Sequence, residues 1–84
     1  MNEIYVTFRS VTFAQRGESV LRRGGIEAGI QRTPRWMEER GCGYCLRLRG
    51  TKGARALRLL REAGVPYRKV YGKTDTGEWE ALNL

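Results

Sequence analysis

Cys42 and Cys45 are the only thiols in the chain. They lie three positions apart in a stretch, Thr33 to Arg49, that also carries Pro34, Arg35, Arg40, Arg47 and Arg49. A thiol reacts and ligates as its thiolate, and nearby cations favour that form. Gly41 and Gly43 flank Cys42, which leaves its sulfur accessible and the adjacent backbone N–H groups free to meet an anion. In an extended strand, residues three apart are separated by about 10 Å, beyond the roughly 7 Å Cα limit for a disulfide, so a bridge requires the chain to fold back at Gly43. The spacing therefore puts Cys42 in a loop and Cys45 on the strand that follows. A thioredoxin-type motif opens a helix instead. Cys45 also reads as a small buried hydrophobe.

Other chemistries fare worse. Structural zinc takes four ligands, commonly Cys and His, and the chain has two Cys and no His. A four-cysteine site would need two chains, or carboxylates such as Glu38, so no metal and no cofactor is expected. The absence of histidine also removes the commonest general base and the usual partner of a nucleophilic serine or cysteine. A hydrolase of the triad type is therefore not expected. Its formal net charge of +7 favours polyanions or acidic protein surfaces. Asp75, Glu78 and Glu80 gather near the end, which leaves the rest still more basic.

What must position these residues is one small two-layer domain, since 84 residues at 40% hydrophobic content suffice for a single core. No apolar run approaches the roughly 20 residues of a membrane span, and the opening Met-Asn-Glu-Ile-Tyr lacks the features of a secretory signal. The expectation is a cytoplasmic protein without membrane contact. Ile4, Val6 and Phe8 alternate with Tyr5, Thr7 and Arg9 as in a strand with one buried face. Ser10 or Thr12 then caps a helix, Gln15 completing a capping box with Thr12. Phe13, Ala14, Gly17, Val20, Leu21 and Gly24 form its apolar stripe, Glu18 and Arg22 pair outside, and Gly24-Gly25 ends it. Gly17 lets the helix approach a sheet closely.

Ile26, Ala28 and Ile30 predict a second strand that stops at Thr33-Pro34. Pro34 opens a short helical turn through Trp36, Met37 and Glu38-Glu39-Arg40, closed by Gly41. Tyr44, Leu46 and Leu48 alternate with Cys45, Arg47 and Arg49 in a third strand. Burying the arginine face would cost far more than burying the leucine face, so Cys45 is expected to point away from the core. A second helix follows with Ala56, Leu57, Leu60, Ala63 and Gly64 inward and Lys52, Arg55, Arg58 and Arg61 outward. A last strand is expected from Val65-Pro66 through Tyr71. The order predicts an α+β fold, the ferredoxin-like split βαβ sandwich (βαββαβ): a four-stranded antiparallel sheet with both helices on one face and the other face open. Residues 1–71 would form this domain. Residues 72–84 would be a tail that docks, with Trp79 and Leu82 at helical spacing, or contacts a partner.

Taken together, Ser10 after the first strand, Ala14 and Glu18 in the helix, the closing Gly25-Ile26, then Thr33-Pro34-Arg35, Gly41-Cys42-Gly43 and a second helix ending Ala63-Gly64-Val65 resemble the Se/S carrier protein-like domain family over about residues 4–71. The resemblance implies a carrier or accessory protein more than an enzyme, with a thiol at Cys42 that carries sulfane sulfur or selenium as a persulfide or selenosulfide and with Arg35 and Gly43 framing it. It also implies a donor such as a cysteine desulfurase or sulfurtransferase. The residues themselves add Thr33-Pro34-Arg35 as the frame at the end of the second strand, Gly41 beside the thiol, and Arg47 with Arg35 as cations that stabilise the thiolate. Cys45 and the acidic, aromatic tail depart from the commoner pattern, and Cys45 could serve as a resolving thiol.

Two other classes compete. Arg40-Gly41-Cys42-Gly43-Tyr44 and Ile4-Tyr5-Val6-Thr7-Phe8 resemble the two signature segments of RNA-recognition motifs, but Cys42 stands at a base-stacking position, and turning Tyr44 outward would bury Cys45, Arg47 and Arg49. The third class is a regulatory or assembly module whose open sheet face forms a homodimer or pairs with a larger enzyme.

Overall fold

The computed structural model describes residues 2–37 and 43–82. The chain forms five strands and two α-helices: β1 (Glu3–Phe8), α1 (Val11–Arg23), β2 (Gly29–Arg32), β3 (Tyr44–Arg49), α2 (Gly53–Glu62), β4 (Val70–Lys73) and β5 (Trp79–Leu82). Short 3-10 turns occupy Arg35–Met37 and Gly50–Lys52. The strands build one antiparallel sheet in the order β2-β3-β1-β4-β5. The expected count of four is corrected to five, because residues 79–82 add an edge strand instead of a short helix.

The alternation in β1 and β3 places Ile4, Val6, Phe8, Leu46 and Leu48 on the helix-bearing face, where they meet Ala14 and Leu21 of α1 and Ala56, Leu57 and Leu60 of α2. Gly17 does what its place in the stripe predicts. A methyl group there would stand 3.1 Å from the Phe8 ring and 3.2 Å from a Leu46 methyl, so α1 lies nearly on the sheet.

Both helices are closed by the same device. Ser10, not Thr12, caps α1, its hydroxyl accepting from the Phe13 N–H. At the far end Gly25 takes a left-handed φ of 81°, and the Ile26 N–H donates back to the Leu21 carbonyl at 2.8 Å. Gly64 (φ 72°) and the Val65 N–H, which donates to the Leu60 carbonyl at 2.9 Å, repeat the motif after α2. Ile26 and Val65 are thus buried helix stops, not first strand residues. β2 accordingly begins at Gly29 and β4 at Val70, later than the alternation predicts.

Ahead of β4 the chain still holds to β1. The Arg68 N–H donates to the Thr7 carbonyl, the Thr7 N–H to the Lys69 carbonyl, and the Lys69 N–H to the Thr7 hydroxyl. β4 turns into β5 through Thr74–Glu78: the Gly77 N–H donates to the Thr74 carbonyl at 3.0 Å, and Gly77 sits at φ 88°, a type I turn followed by a glycine bulge.

Candidate functional site

The β2–β3 ladder pairs Gln31 with Cys45 and Arg32 with Tyr44, and the Thr33 N–H donates to the Gly43 carbonyl at 3.0 Å to extend it by one step. Thr33, Gly43 and Cys45 are therefore neighbours, with Thr33 diagonal to Cys45 on the sheet face away from the helices. Gly43 keeps this corner narrow, since a side chain there would meet the Thr33 hydroxyl at 3.4 Å. Across β1, Thr7 stands opposite Cys45.

Cys45 lies on the face the alternation assigns to it, but that face is not open. Cys45 is 0% exposed, in keeping with its reading as a small buried hydrophobe and a correction to the expectation that this face is uncovered. The cause is the path of the chain after β2. Trp36 follows directly from one edge of the sheet yet contacts Tyr71 of β4 at 5.5 Å between ring centroids and Trp79 of β5 at 6.2 Å. To reach them the 3-10 turn must cross β3 and β1, about 14 Å at three interstrand spacings. Met37 is buried in the same turn, and Thr7 and Thr33 are buried with Cys45.

Burial pushes the Cys45 thiol up from 9.0 to about 11, and the neighbouring Thr33 hydroxyl opposes part of that rise. The two side chains do not meet in hydrogen-bond geometry: Thr33 Oγ1 is buried without a partner among the described residues. Around pH 7 Cys45 is a protonated, enclosed thiol, poorly suited to be the first nucleophile.

Arg35 is exposed in the 3-10 turn beside half-buried Pro34. Arg47 does not turn toward Cys45. Its Nε donates to Glu3 at 2.8 Å near the rim of the sheet. Cys42 and Gly41 lie outside the described residues, as does the 38–41 part of the expected helical turn. The chain thus brings Thr33, Gly43 and Cys45 together, while Arg47 is engaged by Glu3 and Arg35 is exposed in the turn. Among the described residues no three His, Cys, Asp or Glu side chains converge as metal ligands, and no helix is long and apolar enough to cross a membrane.

Residue-by-residue reading missed an aromatic cluster on this second face. Tyr5 packs at a tilt against Trp79 with ring centroids 4.4 Å apart, Trp79 leads to Trp36, and Trp36 meets the Tyr71 ring edge-on. The signal was present in Tyr5 and Tyr71, which face each other across β1 and β4, and in a tryptophan placed two residues after a turn glycine.

Comparison with curated proteins and with solved structures gave no match. A family model described as "Putative Se/S carrier protein-like" matches residues 3–72, which spans β1 through most of β4 and includes the whole Thr33–Cys45 corner. The chain belongs to this Se/S carrier protein-like family.

Proposed function

We propose that this protein is a sulfur or selenium carrier, or an accessory to such a carrier, in which Cys42 accepts the chalcogen as a persulfide or selenosulfide. We place that role on a ferredoxin-like sandwich, β1 through β4, extended by an edge strand. The observation that carries the reading is family membership across residues 3–72. The enclosure of Cys45 bears on which thiol acts: with one of the two cysteines buried and held protonated, the acceptor is Cys42.

The step is a thiol exchange on sulfur. The Cys42 thiolate attacks the outer sulfur of a donor persulfide, the donor S–S bond breaks, and the donor cysteine leaves as a thiolate. No oxidant is consumed. A cysteine desulfurase or sulfurtransferase supplies that donor, and an external acceptor thiolate removes the atom by the same exchange. Arg35, exposed beside Pro34, and the backbone at Gly41 and Gly43 favour the charged sulfur. A resolving role for Cys45 would require it to attack the inner sulfur of the Cys42 persulfide, expel hydrosulfide and leave a disulfide. That step needs the second face to open first, and a simple carrier does not use it.

The test is intact mass spectrometry after incubation with a cysteine desulfurase and cysteine, or with a selenium donor. The expected result is the gain of one sulfur or selenium atom that is lost in Cys42→Ser and retained in Cys45→Val. An adduct on neither cysteine, or one that follows Cys45, sinks the proposal.

A further inference from the structure

The helix-free face of the sheet bears two features, of which the carrier reading uses Arg35 alone. One is the aromatic run Tyr5, Trp79, Trp36 and Tyr71, drawn from β1, β5, the 3-10 turn and β4. Trp36, at its top, is 56% exposed, the most exposed large apolar side chain among the described residues. Two half-buried aromatic rings, Tyr71 and Trp79, pack against it, so its indole is held in place with much of its surface in water. The other feature is a rim of cations. Lys73 Nζ lies 5.9 Å from the centre of the Trp79 ring, Arg35 precedes Trp36 in the turn, and Arg47 stands opposite Tyr5 with its side chain 55% exposed. Among the described residues, the carboxylate paired with one of these cations is Glu3, on Arg47, while Asp75 and Glu78 lie in the sequence between β4 and β5.

We propose that this face binds single-stranded nucleic acid, with a base stacked on Trp36 and phosphates met by Arg35, Arg47 and Lys73. A rigid exposed ring bordered by cations is what an unpaired strand needs: every base has a π-face to stack, and the backbone supplies the negative charge. The net charge of +7 adds a long-range attraction for a polyanion. The same charge argues against a second copy of this chain as the occupant, because a two-fold contact through this face would bring the Arg47 and Lys73 rims of two protomers together. The proposal shares Arg35 with the carrier reading, but its assay turns on Trp36 and involves neither cysteine, so the two readings fail separately.

The experiment is a fluorescence-anisotropy titration of the full chain with a labelled oligouridine and with the matching oligodeoxynucleotide, using polyglutamate of matched charge as competitor. With three phosphate contacts on a single strand, affinity should fall about 20-fold between about 50 and 200 mM salt. Trp36→Ala should weaken binding by about 10-fold or more, and Trp36→Phe should restore most of it, because stacking survives in phenylalanine. Trp36 is exposed, so the fold should persist in both variants, as circular dichroism would verify. Binding to either oligonucleotide with this dependence on residue 36 supports the proposal, and a preference for the ribo-oligomer assigns contact with the 2′-hydroxyl. Absence of binding to both, affinity indifferent to Trp36→Ala, or equally effective competition by polyglutamate would each overturn it.

Discussion

On the helix-bearing face, the sheet gives Ile4, Val6, Phe8, Leu46, Leu48 and Val70 to a core completed by α1 and α2, and every one of these side chains is buried among apolar neighbours. On the opposite face the buried positions are Thr7, Thr33 and Cys45, under a single turn of 3-10 helix and a row of half-exposed rings. The first arrangement is close-packed and chemically inert. The second holds an enclosed thiol, an exposed indole and a buried hydroxyl without a hydrogen-bond partner among the described residues. An unsatisfied buried hydroxyl alone costs about 1–3 kcal/mol. One sheet thus divides its labour: one face holds the fold together, and the other presents groups that packing alone would not select.

The largest effect should come from the inert face. Leu46 fills the space between Gly17, Phe8 and Leu60, where α1 rests on the sheet. Leu46→Ala should cost about 2–5 kcal/mol in a urea melt, the range for deleting a buried leucine side chain. Adding Gly17→Ala should return part of the loss, because the new methyl enters the space vacated by the Leu46 side chain. A cost below about 1 kcal/mol would mean that the helix face does not dominate stability, against the range for such deletions.

A smaller effect, with a pH signature, should come from Cys45. Its thiol is pushed up from 9.0 to about 11, chiefly by burial. The fold therefore favours the neutral thiol, and this contribution is intact below about pH 9. It is lost as pH rises from about 9 to about 11, where the unfolded chain releases the proton and the folded one resists, a loss of roughly 2–3 kcal/mol. Cys45→Val has nothing to titrate at this position. Stability measured from pH 7 to 11 should thus fall further in the wild type than in Cys45→Val. Parallel pH profiles would show that the second face is open to solvent and that the two faces differ less than their packing implies.

How much of this was legible in the chain depends on the length of each signal. The six-residue alternations Glu3–Phe8 and Tyr44–Arg49 and the stripes of both helices carry enough repeats to fix period and face, and they assign Cys45 to the correct side of the sheet. Ile26 and Val65 misled for one shared reason: a buried apolar residue after a left-handed glycine serves as the hydrophobic stop of a helix, yet it looks like the start of the next strand. Trp79-Glu80-Ala81-Leu82 is too short for its period to separate helix from strand, and the better cue was the Asp75-Thr76-Gly77 turn before it. The cover over Cys45 had no local signal at all. It depends on Trp36 crossing from β2 to β4 and β5, a long-range contact that no spacing encodes. Of the proposed thiol site, Thr33, Gly43 and Cys45 are brought together as strand register requires, and Cys42 lies outside the described residues.

The finest test asks whether the second face is an annex or part of the cooperative whole, and it turns on Gly77. This glycine takes φ 88° in the β4–β5 turn, and a methyl group there would meet nothing within 4 Å. Gly77→Ala therefore removes no contact and creates no clash. Its cost is the backbone strain of a left-handed alanine, about 1–2 kcal/mol. β5 carries Trp79, which packs against Tyr5 of the central strand β1, and Leu82, which packs against the helix-face core, so strain in the turn should reach the entire domain. The melting temperature should drop by about 4–8 °C for each kcal/mol in a domain of this size. Gly77→Asn should lose less, since asparagine tolerates the left-handed region better. An unchanged melting temperature with tryptophan emission shifted to the red would reverse the inference: β5 would then open by itself, and the aromatic face would be a separately unfolding layer on a core that does not need it.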